Sequence, residues 1–247
     1  MRRPVLLVVA HGSRDPRHAA TVHALVGRAR SLRPGLRTEV AFLDFNAPSV
    51  PQVLDRLAAD GERDVVALPL LLTRAFHAKS DIPAVLRGAP AALRVRQAEV
   101  LGPSPLLLSA VERRLYEAGL GPADKSSTGL VLASAGSSDP EAIAVIAETA
   151  RELRHTGWCA VRPAFASASL PRTEDAVRLL RAEGCARVAV APYVIAPGRL
   201  PDRIAEGAAA AGADVLADVL GPAPELARLL LDRYDEAGAV RELRATA

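Results

Sequence analysis

The stretch VVALPLLLTRAFHAKSDIP, residues 65–83, decides the fold class, because it reads as a buried strand that leads through a polar loop into a helix. A short apolar run rich in valine and leucine is typical of a strand that is buried on both faces of a sheet. The earlier stretch VLLVVAHGSRDP, residues 5–16, has the same form. Each stretch places one of the five histidines, His11 or His77, just beyond its apolar run. Because two of only five histidines lie at strand ends, we expect a catalytic or metal-binding site at the edge of a sheet.

The composition is that of a globular protein without a nucleic-acid or membrane partner. Half of the 247 residues are hydrophobic, and the formal net charge is only +3. The chain has no basic run, and aromatic residues make up 3% of it, which leaves few platforms on which bases could stack. No apolar run approaches the roughly 20 residues of a membrane-spanning helix, and the N terminus lacks the features of a signal peptide. We therefore expect a cytoplasmic protein.

The cysteine and arginine content narrows the kinds of site that the protein can have. Cys159 and Cys185 lack C-x-x-C spacing and suit a reducing compartment as ordinary small residues, so neither is a metal-site candidate. Of the 31 basic residues 29 are arginines. A GC-rich genome explains most of this bias, but the planar guanidinium also binds carboxylates through two parallel hydrogen bonds.

The chain contains an internal duplication. Four blocks of the first half return in the same order in the second half: HGSRDP (11–16) as AGSSDP (135–140), FLDFNAPSV (42–50) as FASASLPRT (165–173), DGERDVVALPLLL (60–72) as EGCARVAVAPYVI (183–195), and VLGPSP (100–105) as VLGPAP (219–224). The separations vary only between 119 and 124 residues. Constant order at nearly constant separation indicates two copies of one fold.

Each half alternates short apolar runs with segments of helical period, the pattern of βαβ units around a parallel sheet. The strands predicted for the first half are Val5–Ala10, Thr38–Leu43, Val65–Leu72 and about Arg94–Val100, and the helices are Pro16–Leu32 and Ser49–Asp60. We therefore expect an α/β protein with two similar lobes, residues 1–122 and 128–247, joined by the turn-rich segment 118–129. We expect a monomer in which the second lobe, a degenerate repeat, closes a cleft over the strand ends of the first around an approximate twofold axis.

Three predicted strand ends of the first lobe carry candidate chemical residues. Ligands of open parallel sheets bind outside the carboxyl ends of the strands, where the connecting loops converge. His11 follows the first strand, Asp44 follows the second, and Arg74 and His77 follow the third. Each strand end therefore presents a possible metal ligand or proton acceptor on one edge.

The second half is an internal control for these residues. The counterparts of His11, Asp44 and His77 are Ala135, Ser167 and Leu200. All three polar groups are absent together, although the Gly-Ser, Asp-Pro and proline positions around them persist. Residues that serve the fold were retained and candidate chemical residues were not, which favours a single site in the first lobe.

These motifs resemble the sirohydrochlorin chelatases of the CbiX and SirB type, a family related to the class II chelatases and ferrochelatases. The resemblance is carried by VAHGSRDP (9–16), FLDFNAPSV (42–50) and LLLTRAFHAKSDIP (70–83), and the repeat covers nearly the whole chain. It implies insertion of Co²⁺ or Fe²⁺ into sirohydrochlorin for cobalamin or sirohaem biosynthesis. It also implies that His11 and His77 bind the metal, which is a substrate and not a permanently bound cofactor. The family's second motif usually reads glutamate where this chain has Asp44.

The chemistry of metal insertion suits these residue types. Neutral imidazole binds Fe²⁺, Co²⁺ and Ni²⁺, and a site with two or three protein ligands leaves positions open for the macrocycle nitrogens. Two pyrrole protons must also leave, so a catalytic His11, His77 or Asp44 can serve as the base. Sirohydrochlorin carries many carboxylates. The cationic residues expected to bind them are Arg14, Arg74 and Lys79 in the first lobe, and Arg199 and Arg203 at the corresponding strand end of the second.

Two other functions stay open at this point. A non-catalytic carrier of tetrapyrrole or metal would keep the fold and the histidines without turnover. A phosphatase with a histidine nucleophile is the second alternative, because VVAHGS resembles a motif in which Arg-His-Gly follows the first strand. Ala10 stands where that motif has its phosphate-binding arginine, which argues against the phosphatase.

The remaining polar residues near these motifs have structural explanations. His18 and His23 lie off the apolar stripe of the first predicted helix, and we expect both to be solvated, as we do His155. Ser13 and Asp15 recur in the second half, so helix capping is favoured over substrate contact.

Overall fold

The protein is described by a computed structural model that covers residues 3–74 and 77–245, with the backbone alone at His77 and from residue 240 onward. It contains two four-stranded parallel sheets flanked by helices, as the α/β prediction requires. Within these ranges no helix combines the length and the apolar character needed to cross a membrane.

The first sheet has the strand order β2-β1-β3-β4. Its strands are β1 (Val5–Ala10), β2 (Thr38–Phe42), β3 (Asp64–Pro69) and β4 (Arg94–Gln97). Its flanking helices are α1 (Pro16–Leu32), α2 (Val50–Ala59) and α3 (Ile82–Arg87), and a π-helical turn, His77–Asp81, precedes α3. Every residue of β1 is buried because β1 lies between two strands and has helices on its faces, which explains its unbroken apolar sequence.

The second sheet repeats the arrangement with the order β6-β5-β7-β8. Its strands are β5 (Thr128–Ser134), β6 (Ala160–Phe165), β7 (Arg187–Tyr193) and β8 (Val215–Leu216). Its helices are α5 (Pro140–His155), α6 (Thr173–Ala182) and α7 (Arg199–Ala210). In both sheets the first strand in the chain is central and the second is at one edge, so the duplication seen in the sequence is a duplication of topology.

Two further helices follow the repeated blocks 100–105 and 219–224: α4 (Pro105–Glu117) and α8 (Pro224–Ala245). One compact unit consists of residues 1–102 with 222–247, and the other of residues 103–221. In the first unit α8 packs against α1 and β3, and in the second α4 packs against β7 and α5. The compact units therefore differ from the contiguous halves 1–122 and 128–247, because the last helix of each half joins the other unit.

Specific contacts hold α8 in the first unit. The Arg233 guanidinium donates to the carbonyls of Val100 and Leu101 at 2.9 and 3.0 Å, and the Tyr234 hydroxyl donates to the Pro4 carbonyl at 2.7 Å. Arg33 at the end of α1 pairs with Asp235 through two contacts of 2.5 and 2.7 Å. The helix is thus tied to the beginning and to the end of the first sheet.

The segment 118–129 is not a simple linker. It contains a 3-10 helix, Pro122–Ser127, and β5 already begins at Thr128. Lys125 in this turn lies 2.5 Å from the Glu112 carboxylate of α4 and donates to the Thr156 carbonyl at the end of α5. The turn is therefore an ordered part of the second unit.

The helix starts are built as the duplicated Ser and Asp residues predict. Asp15 accepts a hydrogen bond from the Arg17 backbone N–H at 2.9 Å, and Asp139 accepts one from Glu141 at 3.0 Å. The Ser13 hydroxyl in turn accepts from the Asp15 N–H at 3.1 Å. The capping prediction is confirmed for Asp15, whereas Ser13 accepts from the backbone of the cap residue and does not cap the helix itself.

Candidate active site

The candidate site lies at the carboxyl edge of the first sheet. Because β1 lies between β2 and β3, the loops that follow these three strands share one edge with the β1 loop in the centre. His11 is the first residue after β1, Asp44 lies two residues after β2, and Arg74 and the turn 77–81 follow β3. The Asp44 backbone N–H donates to the His11 carbonyl at 2.9 Å, so the structure brings these two residues together.

Glycine is required at position 12 by the close approach of the two loops. Gly12 has φ +95°, and a Cβ atom there would lie 1.8 Å from the Asp44 carbonyl oxygen. Beside it the Ser13 backbone N–H donates to the Asn46 side-chain oxygen at 2.8 Å. The loop that carries His11 and the loop that carries Asp44 are therefore held against each other by backbone contacts and by the Asn46 side chain.

The His11 side chain is half-buried and oriented by its neighbour. Its Nδ1 lies 3.2 Å from the Gly12 carbonyl oxygen. A carbonyl oxygen only accepts hydrogen bonds, so Nδ1 carries the hydrogen in this contact and the lone pair of the neutral imidazole lies on Nε2. Imidazole in this tautomer is a nitrogen ligand for a divalent transition metal or an acceptor for a proton.

The Asp44 carboxylate is exposed at the same edge. Its Oδ1 accepts a hydrogen bond from the Phe45 backbone N–H at 2.8 Å, which fixes the direction of the side chain. A carboxylate has about four acceptor positions, so one backbone bond leaves capacity for a proton or a metal ion.

The remaining predicted ligand, His77, begins the π-helical turn 77–81. Its side chain lies outside the described part of the structure, so the role assigned to it stays a prediction. The turn itself is anchored by the Gln97 side chain at the end of β4, which donates to the Ala78 carbonyl at 3.0 Å. Among the described side chains no group of three His, Cys, Asp or Glu residues is close enough together to hold a metal ion.

Comparison with known proteins agrees with this two-part architecture. The model of one protein family, CbiX, matches residues 5–118 and, a second time, residues 129–237. The chain belongs to the CbiX family. The two matched segments coincide with the two copies inferred from the repeated blocks.

Several proteins named as chelatases are similar to the chain over most of its length. A sirohydrochlorin ferrochelatase of Priestia megaterium is 29% identical over 236 residues, which are 91% of this chain and 87% of that protein. A sirohydrochlorin cobaltochelatase of the same organism is 28% identical over 81% of this chain and 67% of its own length. The solved structure of SirB from Bacillus subtilis with Fe³⁺ has a TM-score of 0.82 at 24% identity and covers 97% of both chains. This structural likeness confirms the chelatase-like fold.

The cationic residues predicted for this CbiX-family chain are all exposed. Arg14 and Lys79 lie on the first-unit loops, and Arg74 forms a long contact of 3.6 Å with Glu99. Ion pairs between two exposed side chains contribute little to stability, so Arg74 can be recruited by a ligand at small cost. Arg199 and Arg203 lie at the start of α7 in the second unit, just beyond the end of β7.

Two site residues are not found by the sequence patterns. His18, expected to be solvated, is half-buried, and its Nδ1 is buried and makes no hydrogen bond within the described part of the chain. Burial lowers the pKa of His18, and charge on His11 lowers it further. The expectation was wrong, because His18 lies in the first turn of α1 and is half-buried near enough to His11 to feel its charge. His23 and His155 are exposed, as predicted.

The second residue is Phe45, whose ring is exposed beside His11. The ring centroids of Phe45 and His11 are 6.2 Å apart, with 30° between the ring planes. The Arg14 guanidinium lies 5.3 Å from the centroid of the Phe45 ring. The sequence offered a signal for it, because Phe45 directly follows Asp44 and its counterpart in the second half is Ala168.

The corresponding loops of the second unit have the same backbone without these groups. A Cβ atom on Gly136 would lie 1.9 Å from the Ser167 carbonyl oxygen, and the Ser167 N–H donates to the Ala135 carbonyl at 3.0 Å. Ala168 has φ +58° where Phe45 has φ +60°, and the X-Pro bonds that follow are cis in both units. The loop geometry therefore belongs to the fold, whereas the imidazole, carboxylate and phenyl groups belong to the first unit alone.

Proposed function

We propose that the protein is a chelatase that inserts Co²⁺ or Fe²⁺ into sirohydrochlorin. The observation that carries the proposal is the contrast between two loop pairs of matching backbone. One holds His11 and Asp44, and the other holds Ala135 and Ser167. Family membership and the names of the relatives support the same reaction.

In this proposal the metal ion is a substrate. The Nε2 atom of His11 is one ligand and His77 is the second. Two nitrogen ligands bind a transition metal too weakly to retain it against a macrocycle with four nitrogens, so the ion passes to the macrocycle. Ni²⁺ has similar ligand preferences and belongs in the test.

Metal insertion also displaces two pyrrole protons. Asp44 is exposed beside the His11 loop, and a carboxylate or imidazole that is close to the macrocycle accepts a proton at neutral pH. We assign this role to Asp44, and to either histidine once it has released the metal. Exposure of Asp44 allows the proton to continue to bulk water.

Binding of the macrocycle depends in this proposal on its carboxylates. Charge-assisted hydrogen bonds from guanidinium and ammonium groups are the appropriate partners. The groups we assign are exposed cations at the strand ends of both units: Arg14, Arg74, Lys79, Arg199 and Arg203.

The test is anaerobic metallation of sirohydrochlorin with Fe²⁺, Co²⁺ and Ni²⁺, followed by the absorbance change of the macrocycle. The macrocycle is supplied in large excess over the protein, and His11→Ala is compared with His155→Ala, which removes an exposed histidine from the second unit. We expect many turnovers in the wild type and in His155→Ala, and none above the uncatalysed rate in His11→Ala.

Two results would contradict the proposal. Uptake of a single equivalent of macrocycle or metal without turnover would identify a carrier. Hydrolysis of a phosphate monoester that depends on His11, without metallation, would identify a phosphatase.

A further inference from the structure

An exposed aromatic ring at the candidate site has no structural explanation. Phe45 is 50% exposed. The exposed large apolar side chains in the described part of the chain are Leu32, Phe45, Leu170, Leu179 and Leu216, so Phe45 is the aromatic one among them. A ring that keeps half of its surface in water gains little from burial.

The ring is held on a rigid loop. Phe45 has φ +60°, a conformation that bulky residues rarely adopt. On its two sides, the Phe45 N–H donates to the Asp44 carboxylate at 2.8 Å and the Asn46 N–H donates to the Asp44 carbonyl at 2.7 Å. Asn46 also accepts the hydrogen bond from Ser13 that joins this loop to the His11 loop. The hydrogen bonds of this loop therefore fix the backbone from which the Phe45 ring projects.

The backbone conformation does not require an aromatic residue. Ala168 occupies the equivalent position of the second unit with φ +58°. Alanine is thus compatible with this loop, and the phenyl ring is present only in the unit that also has the histidine and the carboxylate. His11 and Asp44 are likewise found in the first unit and replaced in the second, which is the reason for assigning them to the site.

The neighbours of the ring define the ligand that suits it. The His11 imidazole lies at a centroid distance of 6.2 Å, and the Arg14 guanidinium lies 5.3 Å from the ring centroid. Aromatic rings pack well against flat conjugated systems in offset or edge-to-face geometry, and guanidinium binds carboxylates. A flat, conjugated polycarboxylate would contact the ring and the cation together.

We propose that Phe45 positions the tetrapyrrole: its exposed ring packs against the conjugated macrocycle while Arg14 binds one carboxylate, which holds the macrocycle nitrogens near His11. This inference rests on the proposed function and adds a recognition element to it. Phe45 acts here as a positioning residue, since it exchanges neither metal nor protons.

The test measures binding of metal-free sirohydrochlorin by fluorescence titration, separately from turnover. Phe45→Ala is expected to raise the Kd for the macrocycle about tenfold and the KM for it similarly, with the KM for Co²⁺ unchanged. Phe45→Tyr, which keeps a flat ring, should restore binding, whereas Phe45→Leu should behave like the alanine variant.

Leu32→Ala is the matched control. Leu32 is 49% exposed in the same unit, but it ends α1 at the opposite edge of the sheet. Its removal should leave macrocycle binding unchanged. Thermal unfolding of each variant verifies that the loop is folded, as the alanine in the second unit leads us to expect.

The outcomes separate this inference from the proposed function. If the wild type does not metallate sirohydrochlorin, the proposed function fails. If the wild type metallates it and Phe45→Ala binds the macrocycle like Leu32→Ala, the positioning role is wrong and the proposed function stands. Equal loss of metal and macrocycle binding in Phe45→Ala would also overturn the positioning role, because it would show a collapsed loop.

Discussion

The Cα atom of Gly12 lies so close to Asp44 that a Cβ atom on it would be 1.8 Å from the Asp44 carbonyl oxygen. Gly136 stands in the same relationship to Ser167, at 1.9 Å. The contact is therefore part of the duplicated fold. In the first unit it has a chemical consequence, because the residue before Gly12 is His11, so the contact places an imidazole beside the Asp44 carboxylate.

Substitution of Gly12 by alanine should damage the site and the fold together. The added methyl group meets backbone, which has no side-chain rotamer to relieve the clash, and φ +95° is strained for alanine. We expect a loss of about 3 kcal/mol in the free energy of unfolding, measured with urea, and loss of metallation. Gly35→Ala is the control, since Gly35 has φ +83° with open space around it, and should cost only about 1 kcal/mol. Equal losses in the two variants would show that the contact with Asp44 is unimportant.

Removal of either histidine should abolish metallation with little effect on stability. His11 is half-buried at a strand end, where a side chain contributes little to the core. We expect His11→Ala and His77→Ala to lose turnover and to weaken Co²⁺ binding, measured by calorimetry, with melting temperatures near that of the wild type. Asp44→Asn should slow turnover and leave Co²⁺ binding measurable, because it removes a proton acceptor. Full activity in His77→Ala would show that this histidine is not a ligand.

The arginines of the second unit should affect the macrocycle and not the metal. Arg199 and Arg203 are exposed at the start of α7. Loss of one charge-assisted hydrogen bond to a carboxylate is worth about 1–3 kcal/mol, so Arg199→Ala or Arg203→Ala should raise the KM for sirohydrochlorin about fivefold or more. The dependence of the rate on metal concentration should not change. Arg178→Ala, which removes an exposed arginine from α6, is the control. Normal KM values in both test variants would assign substrate binding to the first unit alone.

Asp214 should make the stability of the second unit sensitive to acid. Burial raises the pKa of this carboxyl, but the Val188 backbone N–H at 2.6 Å and the Arg181 guanidinium at 2.5 Å outweigh burial and hold the pKa below its ordinary value of 3.8. A carboxyl whose pKa is lowered by folding stabilises the folded state above the unfolded-state pKa, and the stabilisation is lost as the pH falls through the lower, folded-state value.

Asp214→Asn should therefore reduce stability at pH 7 by about 1 kcal/mol, a modest value because the carboxylate is more than a third exposed. The difference from the wild type should shrink when urea denaturation is repeated below pH 3.8. Glu148→Gln, which breaks an exposed pair on α5, should have no effect at either pH. A difference for Asp214→Asn that persists unchanged into acid would contradict the role of its charge.

The local pattern of the sequence predicted most elements of the first sheet. The predicted bounds of β1 and α1 match the structure, because an unbroken apolar run and a capped apolar stripe are set by neighbours in the chain. The third strand was predicted to reach Leu72 but ends at Pro69. Leu70 is nevertheless buried, and its N–H still donates to the Val9 carbonyl at 2.8 Å. Apolar composition alone does not separate a strand from the buried chain that continues it.

The sequence did not predict which sheet each terminal helix would cover. Both α4 and α8 bury several apolar side chains, among them Leu107 and Leu230, and the repeated blocks suggested contiguous lobes. Which sheet such a helix covers depends on the path of the chain. In the structure this path takes α8 to α1 and β3 of the first unit, where Tyr234 reaches Pro4.

By itself, the sequence determined the duplication, because whole blocks of it return in the same order 119 to 124 residues later. It also determined the parallel α/β fold and the candidates His11, Asp44 and His77, since periodicity and strand-end position are properties of residues close together in the chain. The tertiary structure decided that the loops of His11 and Asp44 share a hydrogen bond, that His18 is half-buried, and that the Phe45 ring lies exposed beside Arg14. These relationships join residues of different loops. They exist only because the sheet order places β1 between β2 and β3 and so brings their carboxyl ends to one edge.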